Sequence, residues 1–208
     1  MKHTAAQQEA VRRIALNHVV VGPMLVRWTQ LGLPDAWLSG SMLAQAWWNI
    51  CFDLPPLHGI DDADIIYFDP TDLSEAAEAR AAAHVAALFV DLPIRLDVKN
   101  QARVHLWYPD HFGKAIAPHR SARDATTSFP TTASAVAIND AALSAPFGLD
   151  DFLAPVVRGN ATLIDQAFYQ HKTRRWAALW PALTILPWDA AVHGQAGDAD
   201  INGIIATE

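Results

Sequence analysis

The chain has 208 residues, 51% hydrophobic and 18% charged, enough for one sizeable core and unlike a disordered segment. Its net charge of −7 argues against long nucleic acid as a partner. The single cysteine, Cys51, excludes an intrachain disulfide and a cysteine-based zinc site, and points to a reducing cytoplasm.

Residues 4–19 read as a helix with Val11, Ile14, Ala15 and His18 on one face. Gly22-Pro23 interrupts it, and Pro23 suits the first turn of a second helix carrying Met24, Leu25, Trp28 and Leu31. Gly32 and Pro34 end that helix. A short strand then reaches Leu38, followed by a Gly40-Ser41 turn and a helix to about Phe52, with Cys51 expected as a small core residue. Pro55-Pro56 and His58-Gly59 form the loop into a β-rich segment that begins at Asp62 and ends at Asp69-Pro70. Asp72 with Glu75 marks a helix start, and residues 76–88 form an alanine-rich helix. Leu92-Pro93 turns into a strand in which Ile94, Leu96 and Val98 alternate with polar residues. The order is strand-helix-strand-helix-strand, an α/β core of mixed type.

Beyond Gln101 the pattern loosens. A short helix is expected over 124–128, and strands over 134–138 and 143–145 around an Asn139-Asp140 hairpin turn. Residues 149–157 and 161–179 read as closing helices, ending at Trp180-Pro181. The expected organisation is a single domain: N-terminal helices over 1–34, a core with closing helices over 35–188, and a loosely attached tail over 189–208. No apolar run reaches the roughly 20 residues of a membrane helix. The polar segment 1–13 lacks the apolar stretch of a signal peptide, so a cytoplasmic protein without a membrane partner is expected.

Chemistry concentrates in three carboxylates around the Gly40-Ser41 turn. A strand-turn-helix junction leaves free backbone N–H groups at a helix N-terminus, where phosphates bind. Asp62 and Asp64 are two apart on one strand and share a face, and Asp97 comes from the next strand. Hard divalent cations take oxygen ligands, and Mg²⁺ is held by a few carboxylates plus substrate phosphates. The pattern points to metal-assisted phosphoryl or nucleotidyl transfer. His105, His111 and His119 have spacings that match no helical zinc pair. Trp47 and Trp48, beside the turn, are candidates for lining a base pocket, and Arg174-Arg175 reads as a solvated helix face.

Longer stretches carry a family resemblance. These are residues 42–49, Asp62 to Asp69, Val98-Lys99-Asn100-Gln101-Ala102-Arg103-Val104-His105, 121–125, 129–133 and 145–151, with Lys172, Trp176 and Trp180-Pro181. Together they resemble a bacterial family within the nucleotidyltransferase superfamily, with coverage from about Trp37 to Trp188. The resemblance implies a small mixed sheet flanked by N-terminal and C-terminal helices. Gly40-Ser41 is then the phosphate turn, and Asp62, Asp64 and Asp97 are catalytic carboxylates that hold Mg²⁺, with Mn²⁺ as a substitute. The donor is an NTP and the acceptor an unidentified hydroxyl. The chain departs from the family pattern with Ser41 in place of a second glycine, Ala63 in place of a bulkier residue, and Asp61 beside the pair. Lys99 and Arg103 are the further substrate-binding candidates: Lys99 to neutralise phosphate, Arg103 to contact phosphate or to tie acidic residues in place. Asn100 and Gln101 are expected to orient backbone or carboxylates.

Rival classes use parts of the same pattern. A catalytically silent nucleotide-binding or protein-interaction module would bind nucleotide without turnover, and a metal-dependent phosphohydrolase would release phosphate without transfer. The long N-terminal helices could also serve an antitoxin-like interaction protein as a docking surface. Acceptor, base preference and oligomeric state have no signature in the sequence.

Overall fold

The computed structural model of the chain describes residues 3–193. Helix α1 (Ala5–Asn17) begins with a capping box: the Gln7 N–H donates to Thr4 Oγ1 at 3.2 Å and the Thr4 N–H to Gln7 Oε1 at 2.9 Å. Its buried stripe is Val11 and Ala15, and His18 closes it. His18 Nδ1 accepts from the Val20 and Val21 N–H groups, which leaves Nε2–H to donate to the Pro56 carbonyl. Burial lowers its pKa, consistent with this neutral tautomer. Helix α2 (Val21–Val26) turns back against α1 so closely that a Cβ on Gly22 would stand 2.3 Å from the Leu16 carbonyl oxygen. Met24, Leu25, Trp28 and Leu31 are all buried, as their spacing requires.

The centre is β1 (Trp37–Ser39), α3 (Ser41–Cys51), β2 (Asp62–Tyr67), α4 (Glu75–Leu88) and β3 (Arg95–Asn100), in the order the sequence implies. With β4 (Ala137–Ile138) and β5 (Leu143–Ser144) they make a five-stranded mixed sheet of order β3-β2-β1-β4-β5. Within this sheet only β2 and β3 are parallel, joined by the α4 crossover; its other pairs are antiparallel. Leu38, Ala63, Ile65, Tyr67 and Val98 project from one face into the main core. In that core Trp48 packs edge-to-face on Trp176 and Trp180, with ring centroids 5.1 and 5.3 Å away. Trp180 Nε1 donates to Asn49 Oδ1 at 2.7 Å, locking the end of α8 (Gln166–Leu179) to α3. The architecture is therefore the expected small mixed sheet with helices before, around and after it. Among the described residues no helix is long and apolar enough to cross a membrane.

Several expectations are corrected. The helix expected over 149–157 stops as the short α7 (Asp150–Leu153), because Pro155 has no N–H to continue it. Residues 156–157 instead form β6 (Val156–Val157), parallel to β7 (Thr184–Ile185) in a second sheet. Helix α8 starts at 166 rather than 161, since Asp165 is its N-cap and accepts from the Phe168 N–H at 2.8 Å. Helix α4 is capped by Ser74, whereas Asp72 folds back onto the Ser74 N–H. Helix α5 (Val104–Phe112) occupies a stretch read as irregular; it carries Pro109, which gives up one backbone bond within it. The short helix expected over 124–128 is α6 (Ala122–Thr126). Cys51 is exposed at the end of α3, not in the core. The start of the expected tail is ordered against the chain: the Val192 N–H donates to the Gly159 carbonyl at 2.9 Å. The rest of that tail, from 194, lies outside the described residues.

Candidate active site

The sheet face opposite the main core carries the acidic residues. Register sets Ser39 of β1, Asp64 of β2 and Asp97 of β3 side by side in one row across three strands. The alternation seen in the sequence thus gives each carboxylate its face, and the parallel pairing brings two of them together. Gly40 follows Ser39 with φ 75° and ψ −156°, a conformation reserved for glycine, and α3 starts at Ser41. The Asp64 carboxylate occupies the space a side chain on Gly40 would need: an added Cβ would lie 1.9 Å from Asp64 Oδ2.

A cavity of about 580 Å³ opens over this row. Of the residues singled out in the sequence, Gly40, Ser41, Asp64, Asp97 and Lys99 line it, as does Gln101. Asp62 shares the face of Asp64 but is ion-paired with Arg95, its cross-strand neighbour, and stands outside the cavity wall. Arg103 is buried and faces α4: it donates to Glu78 at 2.8 Å and to the Leu73 carbonyl at 3.1 Å, with Glu75 at 3.5 Å. Glu78 also accepts from the Asn100 N–H at 2.7 Å, so this network clamps the end of β3 to α4. Arg103 ties acidic residues in place and does not reach the cavity. Arg103→Met should cost about 1–3 kcal/mol in urea unfolding by leaving the half-buried Glu78 carboxylate with the Asn100 N–H but without its cation. A variant as stable as the wild type would show that the Arg103–Glu78 pair does not anchor β3 to α4.

Two features were given no role in the site by sequence reasoning. The first is Lys172, which enters the cavity from α8 and rests over the Trp176 ring at 4.8 Å. Burial lowers its ammonium pKa, opposed by the charge of Asp64. A signal was present: Lys172 belongs to the stripe Tyr169, Lys172, Thr173, Trp176, whose other members are buried. The second is an aromatic wall from α5 and α8, including Trp107, Tyr108, Phe112 and Phe168. Trp47 and Trp48 do not supply it. Trp48 is wholly buried in the tryptophan cluster and Trp47 donates to the Leu153 carbonyl at 3.0 Å. Arg174 and Arg175 are exposed, as expected of a solvated helix face, and Arg175 makes a surface ion pair with Asp61 at 3.0 Å.

The electrostatics centre on Asp64. Burial, then the charges of Asp62 and Asp97, push its carboxyl up to about 7, against the pull of Lys172 and Arg95. The pKa of His119, which also lines the cavity, is lowered by burial against the pull of Asp124. Among the described residues no group of three or more His, Cys, Asp or Glu side chains is gathered for an all-protein metal cage. Two carboxylates in register, one of them buried beyond what its cations offset, do fit a hard divalent ion completed by water and substrate oxygens.

The geometry is accompanied by a sequence match: residues 26–185 fit the family model described as nucleotidyltransferase. The chain belongs to the nucleotidyltransferase family. This nucleotidyltransferase chain is also similar to a solved NMR structure described as revealing a CCA-adding enzyme head domain. The two are 25% identical with a TM-score of 0.67, over 90% of this chain and 97% of the other. No curated protein matches the chain.

Proposed function

We propose that this protein is a Mg²⁺-dependent nucleotidyltransferase that moves a nucleoside monophosphate from an NTP to a hydroxyl acceptor and releases pyrophosphate. The observation that carries the reading is the row of Asp64 and Asp97 beside the Gly40-Ser41 turn, in one cavity with Lys99 and Lys172. Family membership supports nucleotidyl transfer as the reaction class.

The acceptor oxygen attacks the α-phosphorus, the bond from that phosphorus to the bridging oxygen breaks, and pyrophosphate departs with the electron pair. Asp97 accepts the hydroxyl proton. Ser41 and the N–H groups at the start of α3 bind the β- and γ-phosphates, and Lys99 and Lys172 neutralise their charge. Asp64 and Asp97, joined by Asp62 once it leaves Arg95, would hold Mg²⁺, which supplies charge neutralisation for the phosphate oxygens.

Calorimetry of the four NTPs with Mg²⁺, on the wild type and on Asp62→Ala/Asp64→Ala, tests the reading. Metal-dependent binding of a triphosphate that the double variant loses is expected. Pyrophosphate release over an acceptor screen should fall at least about a hundredfold on losing Asp64. A folded protein that binds no triphosphate refutes the proposal; release of orthophosphate alone replaces it with hydrolysis.

A further inference from the structure

The acidic face carries its own cations, placed by the same register. Along the shared face of β2 and β3, Arg95 lies opposite Asp62, Asp97 opposite Asp64, and Lys99 opposite Ile66. The pair Asp64 and Asp97 is therefore flanked along β3 by a cation at each end. Arg95 is ion-paired with Asp62, and Lys99 Nζ lies 3.3 Å from Asp97 Oδ1. From α8 the charge of Lys172 acts on Asp64. No backbone carbonyl among the described residues accepts a hydrogen bond from Arg95, Lys99 or Lys172. Like charges directly opposite on neighbouring strands repel, and three internal cations offset part of that repulsion among the three carboxylates in the metal-free protein.

We propose that Arg95, Lys99 and Lys172 are counter-ions standing in for the divalent metal, and that they pass from the carboxylates to the triphosphate when metal and nucleotide enter together. This rests on the nucleotidyltransferase reading above and adds to it a coupling between metal and nucleotide. A free divalent ion adds two positive charges beside cations that have no phosphate to turn to, so it binds weakly. A metal–NTP complex brings the anion that receives those cations. Arg95 and Lys99 are suited to the exchange, with side chains 65% and 45% exposed and free to swing. Metal and nucleotide then bind with positive coupling, each strengthening the other by the same factor.

Free Mn²⁺ binding, followed by the loss of the EPR signal of the hydrated ion, tests this without reference to turnover. The full chain is compared with Arg95→Gln and Lys99→Gln, each with and without a non-hydrolysable ATP analogue. One charge about 6 Å from a divalent ion in a water-like medium changes affinity about tenfold. Each variant should bind free Mn²⁺ about tenfold more tightly than wild type, and Mn²⁺–nucleotide more weakly, so the coupling shrinks. Arg80→Gln removes the same charge from a surface pair with Asp72 and should change neither. Free-Mn²⁺ affinity that is unchanged or weaker in both variants overturns the counter-ion role, even if nucleotide binds normally. A wild type that binds Mn²⁺ but no nucleotide, with both variants tighter for the free ion, upholds the counter-ion placement and defeats the transferase reading instead.

Discussion

Asp64→Asn should make the metal-free protein more stable at pH 8 while abolishing transfer. The asparagine copies the shape of the neutral acid, so the variant removes the charge and little else. Because the folded-state pKa stands near 7, well above the ordinary 3.8, the folded protein holds this proton more tightly than the unfolded chain does. The contribution of Asp64 to stability is fully present below pH 3.8 and is lost as pH rises through about 7. A displacement of that size corresponds to on the order of 4 kcal/mol between the two protonation states. Chemical unfolding of both proteins across pH 3–8 should give curves that meet at low pH and separate progressively between about pH 4 and 7, with the variant the more stable. Mg²⁺ with nucleotide should stabilise the wild type and leave the variant unmoved. A variant less stable than wild type at pH 8 would show that Asp64 is a structural anchor and not a strained functional group.

Gly40→Ala should be among the most damaging single-methyl changes available to the chain. Two independent costs combine. The backbone at φ 75° and ψ −156° lies where a Cβ is strained by about 1–3 kcal/mol, and the new methyl would stand 1.9 Å from Asp64 Oδ2. The variant should lose more than about 3 kcal/mol in denaturant unfolding, or else fold with Asp64 expelled and nucleotide affinity gone. A double-mutant cycle with Asp64→Ala separates the two costs. Removing the carboxylate should recover about 1–3 kcal/mol of coupling and leave the backbone part in place. Strict additivity would mean that the glycine serves the turn alone and not the seating of Asp64.

Much of this site was legible because its signals are local. Gly40-Ser41 between an apolar stretch and a helical run, and Asp62 and Asp64 two apart ahead of Ile65 and Ile66, need only strand and helix periodicities to be placed. What pairs with what is not local. That Asp64 faces Asp97 follows from a parallel register set by the whole β2-α4-β3 unit. The same register hands Asp62 to Arg95, so the three carboxylates expected to act alike occupy two different environments. Arg103 lay within a specific-looking motif, but its direction depended on Glu78 and Glu75, a helix away. In the second half, short elements held by tertiary contacts left little periodicity to read. The strands Val156–Val157 and Thr184–Ile185 exist only because each has the other.

The tryptophan cluster has a consequence for how this site can change over generations. Lys172 is positioned by a helix whose own footing, through Trp176 and Trp180, lies against Trp48 and Asn49 in the main core. Residues that do not line the cavity thereby set the height and tilt of a cation that faces it. Selection on substrate preference can act on that hidden footing, and variation between relatives at such positions carries functional information that a survey confined to the cavity wall would overlook.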